Sequence, residues 1–437
     1  MLGITIILIL VLMFLGLEVP FCFLIGCILF TFWSGQSTGT FMQTGFSQIA
    51  SYTMIAMPMF MIAGTLIDKS GISHTLIEAA KKILGKLKGG MVMTVPLVAC
   101  FFGALSGSGT ATCTTLCTMM VPELEKLGYK KRYLAAVVAA CGPLGYMIPP
   151  NINAIIFNKV ASETSVSALF LATLIPGVLW AVAYMVMIRI GYAKHYVEPV
   201  FTPEQQAVID LEKQSKKAFL AGAIAAIGMP FVVMGGIYGG IFSTSEAGAV
   251  GCLYALIVGV FVFRKFTMKT VFGCFVDAAS SLGGLMILFP MTAVFTRILV
   301  LNQVPQLLSS SILSLSDNRI VILLLIDFVL FISGFFVGAS VLLLVYVPLL
   351  VPLCHAISVS QTNLCVIMMV AIGIGTITPP MAMDLFVASR ITGLPVQELY
   401  RPILPFVFII GIPMLLLVTY IPALSEWLPR LVYNIVI

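Results

Sequence analysis

Two loops of this 437-residue chain set paired prolines behind a glycine: Gly145-Tyr146-Met147-Ile148-Pro149-Pro150 and Gly375-Thr376-Ile377-Thr378-Pro379-Pro380. Proline removes an amide donor and pushes the preceding residue out of helical geometry. The carbonyls about one turn earlier, at Cys141–Gly145 and Ala371–Gly375, are then expected to lose their helical partners. In an apolar setting such oxygens can replace the water shell of a hard cation, and the Thr376 and Thr378 hydroxyls add to the set. A second kind of motif, Ser106-Gly107-Ser108-Gly109-Thr110, joins hydroxyls to residues that break helices. A half-helix starting near Ser108–Thr110 also offers amide donors to an anion. The plainer alternatives are a proline kink and a packing seam of small residues. The kink, however, occurs twice in register.

That register extends along the chain. Pro149 and Pro379 stand 230 positions apart (379 − 149), and Pro122 with Pro352, Pro176 with Pro405 and Pro58 with Pro290 keep nearly the same interval. Internal duplication with paired interrupted apolar segments points to the binding site of a secondary transporter. Composition agrees: 60% of residues are hydrophobic and 9% charged, where a soluble domain carries about a quarter charged residues. The chain reads as an all-α polytopic membrane protein, with room for about ten to twelve spans plus shorter re-entrant pieces. The first apolar run lacks a basic start and an Ala-x-Ala site, so it reads as the first span. The formal charge of +6 reports basic cytoplasmic loops and implies no nucleic acid as partner. The ten cysteines sit inside apolar runs as small fillers, and the three histidines have no metal spacing.

Nine basic residues lie between Met59 and Tyr133, against two, Arg297 and Arg319, in the equivalent Met291–Asn363 stretch. Short basic connections stay cytoplasmic, so the two repeats are inverted, with the amino terminus outside. The reading divides the chain into N-terminal scaffold helices (1–57), a first repeat (58–190), a cytoplasmic connection (191–217), linking helices (218–270) and a second repeat (271–437). Ile72–Leu87 is an amphipathic arm along the surface, with a weaker counterpart at Pro305–Ser316. Met91–Leu127 enters and leaves on the basic face, so it is a re-entrant hairpin whose tip is Ser106–Thr110. The second hairpin, Ile320–Ile357, is expected to break at Ser333-Gly334 and at Val337–Ser340 and to open on the other face. Broken helices follow at 133–160 and 362–390. The Arg189–Lys217 connection carries Thr202-Pro203-Glu204, which reads as the start of a short surface helix. Glu246 reads as a first-turn helix acid.

Several polar residues sit where this arrangement would use them. Asn151 and Asn153 follow the first Pro-Pro and can donate to a substrate. Ser340 stands at the second tip. Asp327, a carboxylate within an apolar arm, is a functional candidate by cost alone. Arg297 can pair with an anion or snorkel to the interface. Asp384 and Arg390, two turns apart, read as a local ion pair.

At this point a resemblance is specific. Pro58–Gly64, Leu87–Gly90, Gly103–Ser108, Ile148–Pro150, Met234–Phe242 with Glu246-Ala247, and Thr378–Pro380 resemble the large membrane subunit of TRAP transporters (tripartite ATP-independent periplasmic transporters, DctM or SiaM type). The resemblance implies an elevator-type transporter of the ion-transporter superfamily in the bacterial inner membrane. Its two re-entrant hairpins and two broken helices would form the mobile domain. It implies Na+ coupling, with at least two ions suggested by the duplication. It also implies a small four-helix membrane subunit, separate from this chain, and a periplasmic substrate-binding protein that delivers a carboxylate or sulfonate. Matched to the family, the ion sites fall on Ser106, Gly107, Gly145 and Pro149, and on Gly338, Gly375, Thr376, Thr378 and Pro379. The family's substrate side matches Ser106, Asn151, Arg297 and Asp327, and Ser108, Asn153 and Ser340 join it from their places at the tips and after the first Pro-Pro. Two positions depart from the pattern: many members have Ser where this chain has Asn151, and Ser is frequent at Gly109. The competing reading is a stand-alone Na+-coupled divalent-anion symporter that needs no binding protein. An intramembrane enzyme is disfavoured, because no His-Glu-x-x-His or paired catalytic Asp pattern is present.

Overall fold

The computed structural model describes residues 1–35, 38–85, 87, 89–195, 216–316 and 318–433. The surface helix expected at Thr202-Pro203-Glu204 lies outside them. The described residues form helices and connections, with no strand among them. Among the described residues six helices are long and apolar enough to cross a membrane: Val166–Gly191, Thr244–Val262, Met268–Leu301, Arg319–Phe336, Ala339–Ala356 and Val396–Tyr420. Two bent pairs raise the total to as many as eight. They are Gly39–Ile49 with Tyr52–Ser70 at 52° and Lys131–Met147 with Ile152–Val160 at 48°. The remaining apolar helices, such as Leu2–Met13 and Val19–Ser34, are shorter. That is why the expected ten to twelve spans do not all appear as full-length helices. Met268–Leu301, with 34 residues, is about 51 Å long at 1.5 Å per residue. It exceeds a bilayer core of roughly 30 Å, so it must tilt or protrude.

The two repeats run in parallel order along the chain. Each opens on a long helix (Tyr52–Ser70; Met268–Leu301), followed by a short arm (Ile72–Leu84; Val304–Leu315). The first hairpin follows as Gly90–Ser106 and Gly109–Lys126, the second as Arg319–Phe336 and Ala339–Ala356. The broken helices are Lys131–Cys141, Leu144–Met147 and Ile152–Val160 in the first repeat, and Gln361–Thr376 and Met383–Thr392 in the second. The expected boundaries at 57/58 and 270/271 therefore fall inside helices. The second hairpin also differs from expectation. Its first arm runs unbroken through Ser333-Gly334 to Phe336, and the break lies only at Val337-Gly338. Glu246 does cap its helix, with Ser243 and Glu246 bonding reciprocally in a capping box.

Gly334 has another use. In each repeat the first hairpin arm crosses its broken helix at a glycine pair. A Cβ on Gly103 would stand 2.8 Å from the Gly145 Cα, and one on Gly334 would stand 3.0 Å from the Gly375 Cα. Only glycine admits backbones this close. The broken helices are the most enclosed elements: every residue of Gln361–Thr376 is buried, as is Leu134–Cys141. Large apolar side chains instead cover the surface of the other helices, with Phe32 84% and Phe272 71% exposed. Exposed apolar area on that scale fits lipid and not water.

The inversion is visible in the packing. The first broken helix starts at Lys131, beside the mouth of the first hairpin, and Glu163, just past its end, meets the mouth of the second. There Gln361 Nε2 donates to Glu163 Oε2 at 2.7 Å, and His355 Nε2 lies 3.4 Å from the same oxygen. A cavity of 710 Å³ opens at this place. Conversely, Ile391 and Thr392, at the end of the second broken helix, share a 220 Å³ cavity with Cys117, Val121 and Lys131 at the mouth of the first hairpin. Each broken helix thus runs from the face where its own hairpin opens to the face where the other opens. The half-helices cross over as well: Ile152–Val160 packs on Ala339–Ala356, and Met383–Thr392 packs on Gly109–Lys126.

Candidate ion and substrate site at the hairpin tips

The first tip is shaped by Gly107, whose φ of +62° ends the Gly90–Ser106 arm, and by Ser108, which caps the next helix by accepting from the Ala111 amide. Three oxygens converge behind it. Ser106 Oγ lies 3.3 Å from the Ser108 carbonyl oxygen and 3.2 Å from Thr112 Oγ1, while Thr112 Oγ1 donates to that same carbonyl at 2.8 Å. A hard cation such as Ca2+ takes oxygens at about 2.3–2.6 Å, and neighbouring oxygens on one face of a shell that size sit about 3 Å apart. Gly145 keeps the approach open, since a Cβ there would stand 2.7 Å from the Ser108 carbonyl oxygen and against Thr112 Oγ1. Ser106, Ser108 and Gly145 are thus brought together, as the family resemblance implied. The Gly107 carbonyl accepts from the Ile152 amide at 3.3 Å, which docks the tip on the segment after Pro149-Pro150. Thr112 was missed. Its signal was its place four residues after Ser108 on one helix face, where a threonine hydroxyl bonds back to the i−4 carbonyl.

The asparagines divide. Asn151 is 1% exposed: its Oδ1 accepts from the Ala154 amide at 2.7 Å and its Nδ2 donates to Thr173 Oγ1 at 3.2 Å. It caps the half-helix Ile152–Val160, and one of its two Nδ2 hydrogens is given to Thr173. Asn153 lies one residue further into the same helix. Its Oδ1 accepts from Ser340 Oγ at 3.3 Å, which ties the first broken helix to the second tip. Ser108 Oγ and Thr110 Oγ1 lie 3.3 Å apart at the exposed side of the first tip.

The second break is more self-satisfied than expected. Thr376 Oγ1 is 2.9 Å from the Gly373 carbonyl oxygen, Thr378 Oγ1 donates to the Ile374 carbonyl at 2.6 Å, and the Thr378 amide donates to the Gly375 carbonyl at 3.0 Å. At the first break the Gly142 and Leu144 carbonyls accept from the Gly145 and Ile148 amides. The carbonyls expected to stand free are therefore largely taken, because tightened turns and hydroxyls satisfy a helix end in place of the lost ladder. Each acceptor keeps a second lone pair. Pro149-Pro150 and Pro379-Pro380 are both cis. Gly338 begins the second arm of its hairpin and faces the Met383 side chain.

Two carry-overs are not brought to the tips. The exposed Arg297 donates from Nη1 to Thr44 Oγ1 at 2.7 Å, on the neighbouring Thr38–Ile49 helix. Asp327 is buried with both oxygens 3.0–3.1 Å from Thr419 Oγ1 of the last spanning helix. It stands ten residues before Val337, about 15 Å along its helix. Nor does Asp384 pair with Arg390. It is buried and accepts from Thr376 Oγ1 at 3.0 Å, while Arg390 is exposed.

Residues 6–424 match the family model described as "Tripartite ATP-independent periplasmic transporter, DctM component". The chain is 33% identical over 385 residues to the isethionate TRAP transporter permease protein DctMQ of Oleidesulfovibrio alaskensis, covering 87% of this chain and 59% of that longer protein. It is 31% identical to the C4-dicarboxylate TRAP transporter large permease protein DctM of Pseudomonas aeruginosa, covering 87% and 86% of the two chains. To the sialic acid TRAP transporter large permease protein SiaM of Vibrio cholerae it is 30% identical, covering 96% of each. Among solved structures it shares the fold of the Alcanivorax borkumensis YdaH transporter, described as having an unusual topology. The TM-score is 0.63 at 14% identity, with 88% of each chain covered.

Proposed function

The chain belongs to the DctM component family of tripartite ATP-independent periplasmic transporters, and from that premise we propose that it is a Na+-coupled importer subunit for a small organic anion. The observation that carries the reading is the oxygen triangle of Ser106, Ser108 and Thr112 set against Gly145. Three hard oxygens held by a hairpin tip and a broken helix suit a desolvated Na+ better than they suit a proton or a transition metal. A second ion is assigned to the equivalent junction of Gly338 with Gly375–Pro379, through backbone carbonyls. The anion is a carboxylate or sulfonate, the chemistry that the names of the isethionate, C4-dicarboxylate and sialic acid relatives share. It would meet the Ser108 and Thr110 hydroxyls, the amino-terminal end of Gly109–Lys126 and the Asn153–Ser340 pair. Helix amino termini favour negative charge.

The partners in this reading are a small four-helix membrane subunit and a periplasmic binding protein, and the location is the bacterial inner membrane. The hairpins and broken helices would move as a block against the lipid-facing helices in an elevator cycle. Solute uptake into liposomes that hold this chain and its small partner tests the reading, with the Na+ gradient and the binding protein each present or absent. Uptake that needs both is the expected result. Uptake that runs equally well without a Na+ gradient would overturn the coupling, and uptake that needs Na+ alone would instead favour a stand-alone symporter.

A further inference from the structure

The second broken helix carries a carboxylate that the hairpin tips do not use. Asp384 is 1% exposed. Its Oδ2 sits 3.0 Å from Thr376 Oγ1, and its Oδ1 has no hydrogen-bond partner. Among the described residues no Lys, Arg or His forms an ion pair with it. A carboxylate enclosed at membrane depth is costly unless a positive charge offsets it, and it marks function by default.

What surrounds it comes from both halves of the molecule. Thr376 has one hydroxyl hydrogen and two acceptors in reach, the Gly373 carbonyl oxygen at 2.9 Å and Asp384 Oδ2 at 3.0 Å; with the hydrogen turned to Gly373, its lone pairs face the carboxylate. Tyr146, from the break of the first broken helix, is 4% exposed, and its hydroxyl has no partner. That hydroxyl lies over Gly373, where a Cβ would stand 2.6 Å from it. Gly142, in the same broken helix, presents bare backbone to the carboxylate, since a Cβ there would be 2.9 Å from Oδ2. The first hairpin fixes the half-helix in place through Cys113 Sγ, which donates to the Asp384 carbonyl oxygen at 3.5 Å. The carboxylate thus meets the Thr376 hydroxyl of its own break and the Gly142 backbone of the other, with the Tyr146 hydroxyl close by over Gly373. Two of the polar atoms present, Asp384 Oδ1 and the Tyr146 hydroxyl, are buried without a partner.

We propose that Asp384, Thr376 and Tyr146 form a cation site of their own at the junction of the two broken helices, taken by Na+ and separate from the tip sites. The carboxylate supplies the neutralising charge and the two hydroxyls supply neutral hard ligands. An ion held there joins Tyr146 of the first repeat to Thr376 and Asp384 of the second, so its occupancy reports on how the two halves fit together. The proposal rests on the Na+-coupled reading above.

The test uses the purified full-length chain in lipid nanodiscs, with NaCl titrated against choline chloride at constant ionic strength. Thermal stability and Trp fluorescence are followed for the wild type, Asp384→Asn and Tyr146→Phe. Trp180 reports locally, because its ring reaches within 3.3 Å of the Cβ position at Gly373. The expected result is a Na+-specific stabilisation in the wild type. Its half-saturating Na+ concentration should rise at least about tenfold in Asp384→Asn and also rise in Tyr146→Phe, a conservative change that keeps the ring. In proteoliposomes, the number of charges moved per solute, read from the reversal potential, should fall by one in Asp384→Asn. Wild-type Na+ dependence and charge stoichiometry in both folded variants would overturn the site. A change confined to the pH dependence of transport would also overturn it, since the carboxylate would then carry a proton. A wild type that shows no Na+ effect at all would instead sink the Na+-coupled reading as a whole.

Discussion

Ser106, Ser108 and Thr112 place three oxygens within 2.8–3.3 Å of one another, and the sequence showed two of the three. Hydroxyl residues between helix-breaking glycines announce themselves. Thr112 sits inside a regular helix, and its role depends on a back-bond that exists only once the helix has formed. Ser106→Ala and Thr112→Val should each raise the Na+ concentration for half-maximal uptake by about tenfold, the loss of about 1.4 kcal/mol. If Na+ dependence is unchanged in either variant, that oxygen is not an ion ligand. Asn151 marks the opposite limit of residue-level reading. Its position after the Pro-Pro suggests a substrate contact, and the fold adds a structural demand the sequence hid: the half-helix that begins there needs a cap, and the amide bonds Ala154 and Thr173. Asn151→Ala should cost about 1 kcal/mol for the cap, and somewhat more for the hydrogen bond lost to Thr173. It should lower the thermal unfolding temperature while leaving Na+ affinity in place. A drop in Na+ affinity at unchanged stability would place Asn151 in the binding site.

At the scale of elements, proline and glycine punctuation located both hairpins and both broken helices to within a few residues, because each of those residues changes backbone options locally. The same punctuation misled at Ser333-Gly334. Gly334 serves a helix crossing there, and a glycine used for closeness looks the same in sequence as a glycine used for a break. The crossing supplies a sharp prediction. A Cβ on Gly375 would stand 2.6 Å from the Gly334 Cα, and one on Gly103 would stand 2.8 Å from the Leu144 carbonyl oxygen. Backbone atoms cannot rotate away as a side chain can. Gly375→Ala and Gly103→Ala should therefore each cost about 1–3 kcal/mol or more through overpacking, with loss of transport. Gly284, in the long Met268–Leu301 helix, has nothing within 4 Å of its Cβ position. Gly284→Ala should be neutral or stabilising by about 0.4–1 kcal/mol. Thermal unfolding of the three variants checks the ordering, and a destabilisation of Gly284→Ala equal to the other two would break the argument.

For the whole molecule, the inverted arrangement came from counting basic residues, and the packing reaches the same arrangement by an independent route. Glu163 meets Gln361 and His355 at one face, while Thr392 meets Cys117 and Lys131 at the other. Which helices face lipid was not legible, because an apolar residue turned to lipid and one turned to the core read alike in sequence. Only the fold separates Phe32 and Phe272 from the enclosed Gln361–Thr376 helix. The inversion has a consequence that can be measured in intact membranes. His355 and Arg390 are both exposed to solvent. They sit only 35 positions apart (390 − 355) and are separated by one broken helix. Single cysteines at His355→Cys and Arg390→Cys should therefore react from opposite sides. A membrane-impermeant maleimide added to right-side-out vesicles should label the first and spare the second, and inverted vesicles should give the reverse. The unmodified protein sets the background for its ten native cysteines, eight of which are buried. Because one helix cannot cross the bilayer and leave both its ends on the same face, labelling of both positions from one side would make the break at Thr376–Met383 a return loop. The second hairpin would then open on the same side as the first, and with it would go the two-sided access that the proposed import cycle requires.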